Sequence, residues 1–179
     1  MPKANICLIG LSNQLIDQLG LELSKKLDMF YANVQKIIEF ELFDMQKMQE
    51  ICGKEYLERK ESGILRRICT YENTVLSVEY PLINSDYNYD NLNNSALIIY
   101  VRLGLKKLKK KYETENITEG AKLINIDLFE DRDYICKRKA DIVVDCDNLD
   151  ENHIVDVIMG EIVKFYVWGI EFWIWKVRM

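Results

Sequence analysis

The sequence predicts an α/β fold of three layers, in which a parallel five-stranded sheet is flanked by helices on both faces. Short apolar runs typical of buried strands alternate along the chain with longer segments whose apolar residues recur at helical spacing. The 179 residues are enough for one full core, and the chain has only two prolines and no linker-like stretch. We therefore expect residues 1–179 to form a single domain.

The first half of the chain predicts three strands and three helices. The run that ends at Ile9 is short and apolar, and the next segment carries leucines at four-residue spacing, which is typical of a helix. In chain order the predicted elements are a strand at Asn5–Ile9, a helix at Asn13–Leu27, a strand at Met29–Ala32, helices at Val34–Ile51 and Lys54–Ile68, and a strand at Thr74–Val78.

The second half continues the alternation after a polar interruption. Asn84–Asn94 is rich in Asn, Asp and Tyr, and this composition predicts a loop. The elements expected after it are a strand at Leu97–Leu103, helices at Leu105–Tyr112 and Ile124–Lys139, a strand at Ile142–Val144 and a helix at Asp150–Tyr166. Residues 165–179 follow as an aromatic C-terminal extension that contains all three tryptophans.

Composition excludes several classes of function. The net charge of −5 argues against nucleic-acid binding, and no apolar run is long enough to span a membrane. The five cysteines form no C-x-x-C pair and the single histidine gives them no neighbour, so we expect no metal site. Scattered cysteines and the lack of a signal peptide predict a reduced, cytoplasmic setting.

The start of the chain has the layout of a phosphate-binding loop without its characteristic residues. The strand, loop and helix around Gly10 match the arrangement of the motif G-x-x-x-x-G-K-[ST]. Gly10 occupies the first glycine position, but Leu15 stands at the second glycine, Ile16 at the lysine and Asp17 at the Ser/Thr.

These replacements remove the groups that hold phosphate. Leucine does not adopt glycine's positive-φ conformations cheaply, isoleucine donates no hydrogen bond, and aspartate adds a negative charge. We expect no cofactor, although a helix N-terminus leaves weak binding of ATP and Mg²⁺ open. The segment is interpreted as a relic phosphate loop made of Gly10, Leu11, Ser12, Asn13, Gln14, Leu15, Ile16 and Asp17.

Four strings of this sequence carry a resemblance to a known family. They are the segment from Leu27 to Glu39, the segment from Gly53 to Glu61, Leu128-Phe-Glu-Asp-Arg, and Ala140-Asp-Ile-Val-Val-Asp. In that order they are similar to the Asp-x-Asp followed by Ile-Glu, the Gly-Glu-x-x-Phe-Arg-x-x-Glu, the C-terminal Glu-Arg and the Ala-Asp-x-x-Val-Asp strings of the shikimate kinase family of P-loop kinases. The resemblance runs from about Asn5 to Ile158 and implies the fold of that family, with degenerate motifs.

The resemblance also implies a relic substrate site. The family's two aspartates align with Asn33 and Gln35. The family's arginine that binds the substrate carboxylate aligns with Glu58, a reversal of charge. The lid is shortened to about Glu113–Glu119 and lacks arginine. The relic site comprises Asn33, Gln35, Glu58, Glu79 at the family's glycine wall, and Arg132, which alone matches a substrate-binding arginine. No residue is assigned a catalytic role. A solvated Arg132 that pairs with Asp131 or Asp133 is the commoner alternative.

Three functions follow as expectations. The first is a catalytically inactive pseudokinase with a binding or regulatory role. The second is an active shikimate kinase, or another small-molecule kinase, with displaced groups, in which Asp17 or Glu79 binds metal and Arg132 binds an anion. The third is an assembly module that dimerises through its aromatic end. A protein partner or a second copy would contact Trp168, Phe172, Trp173 and Trp175, unless these residues complete the domain's own core.

Overall fold

A parallel sheet of five strands forms the centre of the protein, and it confirms the predicted fold class. The computed structural model describes residues 3–114 and 126–177, with side chains described over 3–113 and 126–167. The strands are β1 Asn5–Ile9, β2 Phe30–Asn33, β3 Thr74–Val78, β4 Ala96–Arg102 and β5 Ile142–Asp145. Their spatial order is β2-β3-β1-β4-β5, and every neighbouring pair is parallel.

Helices connect the strands and cover the sheet. They are α1 Asn13–Leu27, α2 Val34–Leu42, α3 Met45–Cys52, α4 Lys54–Ile68, α5 Tyr80–Asn84, α6 Asp86–Ser95, α7 Leu105–Thr114, α8 Phe129–Lys139 and α9 Glu151–Val177. Helix α1 packs against α9, α4 packs against α6, and α5 packs against α8. Because β1 leads to β2 in one direction and β3 leads to β4 in the other, right-handed crossovers place α1 and α6 on opposite faces.

The core is built on the three inner strands. All five residues of β1 are buried, as are all five of β3, which is typical of parallel strands covered on both faces. The register pairs Cys7 of β1 with Leu76 on one side and with Ile98 on the other. Burial raises the pKa of the Cys7 thiol, which behaves as a small apolar side chain.

The predicted loop at Asn84–Asn94 was wrong, because most of this segment is the helix α6. The Ser85 hydroxyl caps the helix by accepting from the backbone N–H of Asn88 at 3.4 Å. Leu92 is fully buried, and Tyr89 packs against the core. A few apolar contacts at helical spacing are therefore enough to hold a segment whose composition alone is typical of a loop.

The single predicted helix at Val34–Ile51 was also wrong, because it is interrupted between α2 and α3. Phe43 adopts a positive φ of 58°, which ends α2. The side chain of Asp44 then accepts from the backbone N–H of Lys47 at 2.9 Å and begins α3 as its N-cap. An aspartate inside an apolar helical pattern was the available signal for this break.

Other boundaries differ by smaller amounts, and some predictions fall outside the described residues. Strand β2 begins one residue later than predicted. Helix α9 continues past Tyr166, where the prediction ended, to Val177. The start of the helix predicted at Ile124 and most of the lid at Glu113–Glu119 lie outside the described residues. Over residues 3–114 and 126–177, no helix combines the length and apolar character needed to cross a membrane.

A buried carboxylate joins β4 to α8. Asp133 accepts hydrogen bonds from the Tyr100 hydroxyl at 2.9 Å, Arg102 Nε at 3.1 Å and Lys137 Nζ at 2.6 Å. Burial alone would raise the pKa of Asp133, but the hydrogen bonds from Lys137 and Tyr100 and the charge of Arg102 hold it below its ordinary value. Arg102 also donates to Asp145 at 2.6 Å, which extends the network to β5.

Replacing Asp133 by alanine is expected to lower the free energy of unfolding by about 3 kcal/mol at pH 7, because two cations would lose their buried partner. Since the pKa of folded Asp133 is depressed, its stabilisation is present at neutral pH and disappears as pH falls from about 4 through the folded pKa. Urea denaturation of the unaltered chain and of Asp133→Ala across this pH range should therefore give free energies of unfolding that become equal in acid.

The matched control is Asp131→Ala, because Asp131 lies on the exposed side of the same helix. Its effect at pH 7 is expected to stay within about 0.5 kcal/mol. Equal losses for the two variants, or a difference that does not shrink in acid, would contradict a stabilising role for the buried carboxylate.

Candidate functional site

The connection between β1 and α1 is short, because α1 begins at Asn13. Only Gly10, Leu11 and Ser12 separate the strand from the helix. The Ser12 hydroxyl accepts from the backbone N–H of Leu15 at 3.3 Å and caps the helix. The predicted phosphate loop therefore lies largely within a helix, and one of the free N–H groups at the helix start is satisfied by the chain's own serine.

Apolar side chains fill the space beside Gly10. Leu15 is 2% exposed and Ile16 is 3% exposed. A Cβ atom placed on Gly10 would lie 2.6 Å from Cδ1 of Ile16, so a larger residue here would force the Ile16 side chain to move. The Tyr112 hydroxyl donates to the Leu11 carbonyl and holds the loop from the side of α7. No cationic side chain comes from positions 10–17.

Asp17 is the centre of a polar network that joins four elements. Its Oδ1 accepts from the Tyr31 hydroxyl and from the Asn33 side-chain amide, the latter at 2.7 Å. Its Oδ2 accepts from Lys36 Nζ at 2.7 Å. Because Tyr31 gives its only hydroxyl hydrogen to Asp17, the Ser77 hydroxyl 2.8 Å away is the donor to Tyr31. The network connects α1, β2, α2 and β3.

This network keeps Asp17 ionised. Partial burial would raise the pKa of its carboxyl group, but the hydrogen bonds from Lys36, Tyr31 and Asn33 outweigh burial and lower the pKa. Burial and the hydrogen bond to Asp17 raise the pKa of the Tyr31 hydroxyl, so Tyr31 stays protonated as a donor. The charge of Asp17 is therefore already matched by a cation within the chain.

Glu79 follows β3 at the same edge of the sheet. Burial, with a smaller contribution from the charge of Glu39, raises the pKa of Glu79 to about 7, while a hydrogen bond from Asn13 works in the opposite direction. The charge of Asp17 adds a further small increase. A carboxyl group that titrates near neutral pH therefore stands beside the start of α1.

The structure brings some of the predicted substrate residues together and separates others. Asn33 belongs to the Asp17 network, whereas the Gln35 amide donates to Glu39 on the same helix at 3.1 Å. Glu58 is exposed and ion-paired with Lys54 at 3.2 Å. It lines a groove of about 630 Å³ between α4 and α6 that none of the other predicted substrate residues lines.

Arg132 lies in a different depression. Its guanidinium group stands over the Tyr80 ring, 4.7 Å from the ring centroid. Both residues line a depression of about 540 Å³ beside α5 and α8, together with Asn84 and Tyr134. The arginine therefore packs on an aromatic ring at the position that the resemblance assigns to a glycine wall.

Sequence reasoning missed the partners that organise this site. Tyr31 and Lys36 flank the predicted Asn33 and Gln35 by only one or two residues, and Ser77 lies on β3. The one available signal was Asp17 itself, because a carboxylate on the apolar side of a helix needs a donor or a cation. Within the described residues, no cluster of three or more His, Cys, Asp or Glu side chains is arranged to hold a metal ion.

Replacing Glu79 by glutamine tests whether burial raises the pKa of its carboxyl group. The folded pKa near 7 lies above the ordinary carboxyl value of 4.5, so the stability that depends on the neutral form is complete below about 4.5 and is lost as pH rises through 7. Glu79→Gln is therefore expected to raise the free energy of unfolding by about 2 kcal/mol more at pH 8 than at pH 5. Thermal or urea denaturation at both values measures this.

Glu72→Gln is the matched control, because Glu72 is exposed just before β3. We expect its effect on stability to be independent of pH in this range. A similar pH dependence in both variants would mean that the loss of any carboxylate is sufficient and that burial of Glu79 is not the cause.

Comparisons with known proteins agree in the family they identify. Residues 18–163 match the family model described as Shikimate kinase, a stretch that begins directly after Asp17. The shikimate kinase of Clostridium botulinum strain Eklund 17B is 25% identical over 175 residues, which cover 92% of this chain and 98% of that protein. The shikimate kinase of strain Okra is 29% identical over 122 residues, 65% of this chain and 72% of the relative.

Solved structures support the same fold. The shikimate kinase from Acinetobacter baumannii, in complex with shikimate, superposes with a TM-score of 0.76 at 18% identity. The match covers 91% of this chain and 94% of the Acinetobacter chain. The shikimate kinase from Aquifex aeolicus gives a TM-score of 0.72 at 20% identity, and the match covers 91% of this chain and 98% of the Aquifex chain. These likenesses show a P-loop-kinase type of fold, and with the family model they lead to one conclusion: the chain belongs to the shikimate kinase family.

Proposed function

We propose that this chain is a non-catalytic member of its family, a pseudokinase that keeps the fold for a binding or regulatory role. The observation that carries the proposal is the position of Ile16. Its side chain stands where the phosphate-binding motif has lysine, and it is buried against Gly10. A buried isoleucine offers neither charge nor hydrogen bond to a triphosphate.

The surroundings of Ile16 support the same proposal. Phosphoryl transfer depends almost entirely on positioning and on electrostatic stabilisation of the phosphates. Here Ser12 takes the N–H of Leu15 at the helix start, and Asp17 adds a negative charge at the position of the metal-binding hydroxyl. Lys36 is a nearby cation, but it is engaged with Asp17. The residues present do not fit Mg-ATP.

The substrate side offers a second, independent line of support. Glu58 stands at the position of the family's carboxylate-binding arginine and would repel an acidic substrate. Arg132 and Glu58 line separate depressions, so they do not form one anion site. The competing function is a kinase with displaced groups, in which Glu79 or Asp17 would bind metal and Arg132 would bind the substrate anion.

Titration calorimetry with Mg-ATP at physiological salt tests the proposal. We expect no heat of binding and no shift in melting temperature, which corresponds to a Kd weaker than about 1 mM. The Acinetobacter baumannii shikimate kinase, measured in the same buffer, is the positive control for the assay. An assay with shikimate and Mg-ATP should detect no phosphorylated product.

Micromolar binding of Mg-ATP, or Mg²⁺-dependent turnover that is lost in Arg132→Ala, would overturn the pseudokinase proposal. Such turnover would favour the displaced-group kinase instead. Arg132 stacks on Tyr80, and neither residue bonds to Asp17, so a loss of turnover in this variant would report on the anion site.

A second candidate is an assembly module, and the length of α9 favours it. The Tyr166 hydroxyl donates to the Lys3 carbonyl at 2.8 Å and ties the helix to the start of β1. From there α9 continues to Val177, about 16 Å further along its axis. Val163 and Val167 are exposed on the described part. The side chains of Trp168, Phe172, Trp173 and Trp175 lie outside the described residues, so their contacts remain a prediction.

Truncation after Tyr166 tests this second candidate. If the end of α9 pairs two copies, the full chain should sediment as a dimer and the truncated chain as a monomer. The far-UV spectrum of the truncated chain should show that the rest of the domain is still folded. An aromatic helix end buried between two chains would give a loss of this kind. A full chain that sediments as a monomer, or a truncated chain that remains a dimer, would remove the candidate.

A further inference from the structure

The exposed side of α4 carries a stripe of cationic side chains. Residues three or four positions apart lie on the same face of a helix, and this spacing runs from Tyr56 to Thr70, just after α4 ends. The face comprises Tyr56, Arg59, Lys60, Gly63, Arg66, Arg67 and Thr70. Four of these seven residues are cationic and none is acidic. We call this face the α4 stripe.

A depression of about 620 Å³ lies along the α4 stripe. Ile64 lines it together with all the stripe residues except Tyr56. Two of the cations precede Gly63 by about one helical turn, and the other two follow it by about one turn. Helices α2, α3 and α6 pack against α4, but among the described residues none of theirs lines the depression. Positive charge is therefore concentrated around a position that has no side chain.

Most of this charge has no acidic partner in the part of the chain that the structure describes. Arg67 pairs with Glu41 of α2. Arg59, Lys60 and Arg66 are exposed, and they form no ion pair over residues 3–113 and 126–167. The α4 stripe therefore keeps three uncompensated cations, although the whole chain has a net charge of −5.

The acidic side chains of α4 lie on its other sides. Glu58 pairs with Lys54 at 3.2 Å. Glu55 and Glu58 line the groove towards α6 and do not line the depression. Glu61 is two residues from Gly63 and so projects from the opposite side of the helix, where burial and the charge of Glu58 raise its pKa. An anion that approaches the α4 stripe therefore meets cations first.

No contact within the described residues requires glycine at position 63. Glycine is among the least favourable residues in the interior of a helix. A Cβ atom placed on Gly63 would have no heavy atom within 4 Å, whereas a Cβ placed on Gly20 of α1 would lie 2.8 Å from Cε2 of Tyr31. The glycine at position 63 therefore leaves a gap on the helix surface into which the backbone of another chain fits.

The chemistry of the α4 stripe indicates what covers it. The guanidinium group of arginine presents a planar fork of donors that matches a carboxylate with two hydrogen bonds. Arg59 and Arg66 are seven residues apart, about 10 Å along the helix axis, which about three residues of extended chain span. A nucleic acid or an anionic membrane would also meet the acidic remainder of the chain, which disfavours both.

We propose that the α4 stripe is a docking site for an acidic, extended segment of another protein. The backbone of that segment passes over Gly63, and its carboxylates bind Arg59 and Arg66, with Lys60 beside them. A short segment buries less than the roughly 800 Å² that each partner buries in a stable complex, so binding is of the weak, transient class. The α4 stripe shares no residue with the Asp17 network or the relic phosphate loop, so the proposal is independent of the pseudokinase proposal.

Fluorescence anisotropy with two designed peptides tests the site. The probe is a labelled peptide of about ten residues in which glutamate and glycine alternate, long enough when extended to cover the roughly 21 Å of the stripe. Its matched control carries lysine in place of every glutamate. We expect the full chain to bind the glutamate peptide with a Kd of about 10–100 μM, more weakly at high salt, and the lysine peptide at least about tenfold less well.

A double variant, Arg59→Gln with Arg66→Gln, tests the two arginines. We expect it to weaken binding of the glutamate peptide at least about fivefold, because both bidentate partners are lost. The matched control is Lys106→Gln with Lys110→Gln, which removes the same charge from two exposed lysines of α7. Its binding should stay within about twofold of the unaltered chain, since long-range attraction alone is small at physiological salt.

Gly63→Gln separates docking from a structural role. A side chain at this position meets open space, and glutamine is a better helix former than glycine, so we expect Tm to rise by about 1–3 °C. The same side chain would block the approach of the peptide backbone, and binding of the glutamate peptide should weaken at least about fivefold. A gain in stability together with a loss of binding would support the docking site.

Four results would each overturn the proposal. The first is a full chain that does not bind the glutamate peptide. The second is an equal loss of binding in the α4 and α7 double variants, and the third is unchanged binding in Gly63→Gln. The fourth is tighter binding of a single-stranded oligonucleotide with the same net charge as the glutamate peptide, which would assign the α4 stripe to phosphates instead of carboxylates.

Discussion

The position at which α1 begins governs the rest of the site. The Ser12 hydroxyl caps the backbone N–H of Leu15, so only three residues separate the end of β1 from the start of the helix. Once the helix starts there, its geometry directs Leu15 and Ile16 into the core and turns Asp17 towards β2. A buried serine cap and two buried aliphatic residues thus occupy the region where a phosphate-binding loop would expose backbone N–H groups.

Two polar networks then hold the carboxyl edge of the sheet together. The first surrounds Asp17 and links α1, β2, α2 and β3, and the second surrounds Asp133 and links β4, β5 and α8. In each, a carboxylate in a partly buried place meets one or more cations and hydroxyl donors, which is the condition for keeping such a charge at low cost. At the edge of the sheet where parallel α/β folds usually bind ligands, these charged side chains therefore already have partners within the chain.

Membership of the shikimate kinase family is compatible with the proposed loss of phosphoryl transfer. The fold depends on the apolar strands, the helix faces and the crossovers, while phosphoryl transfer depends on a few groups placed on that frame. In this chain β1, β3 and β4 form a continuous apolar core, although Leu15, Ile16 and Asp17 stand at the motif positions.

The sequence by itself determined the order of the strands and helices, because buried parallel strands are short apolar runs and helices repeat their apolar residues every three or four positions. The residues at the aligned motif positions, Leu15 and Ile16 among them, are also read directly from the sequence. Tertiary structure decided the rest. Leu92 and the Ser85 cap made a helix of a polar segment. The positive-φ turn at Phe43 divided the segment predicted as one helix into α2 and α3. The partners of Asp17 come from three other elements, and only packing brings distant positions together.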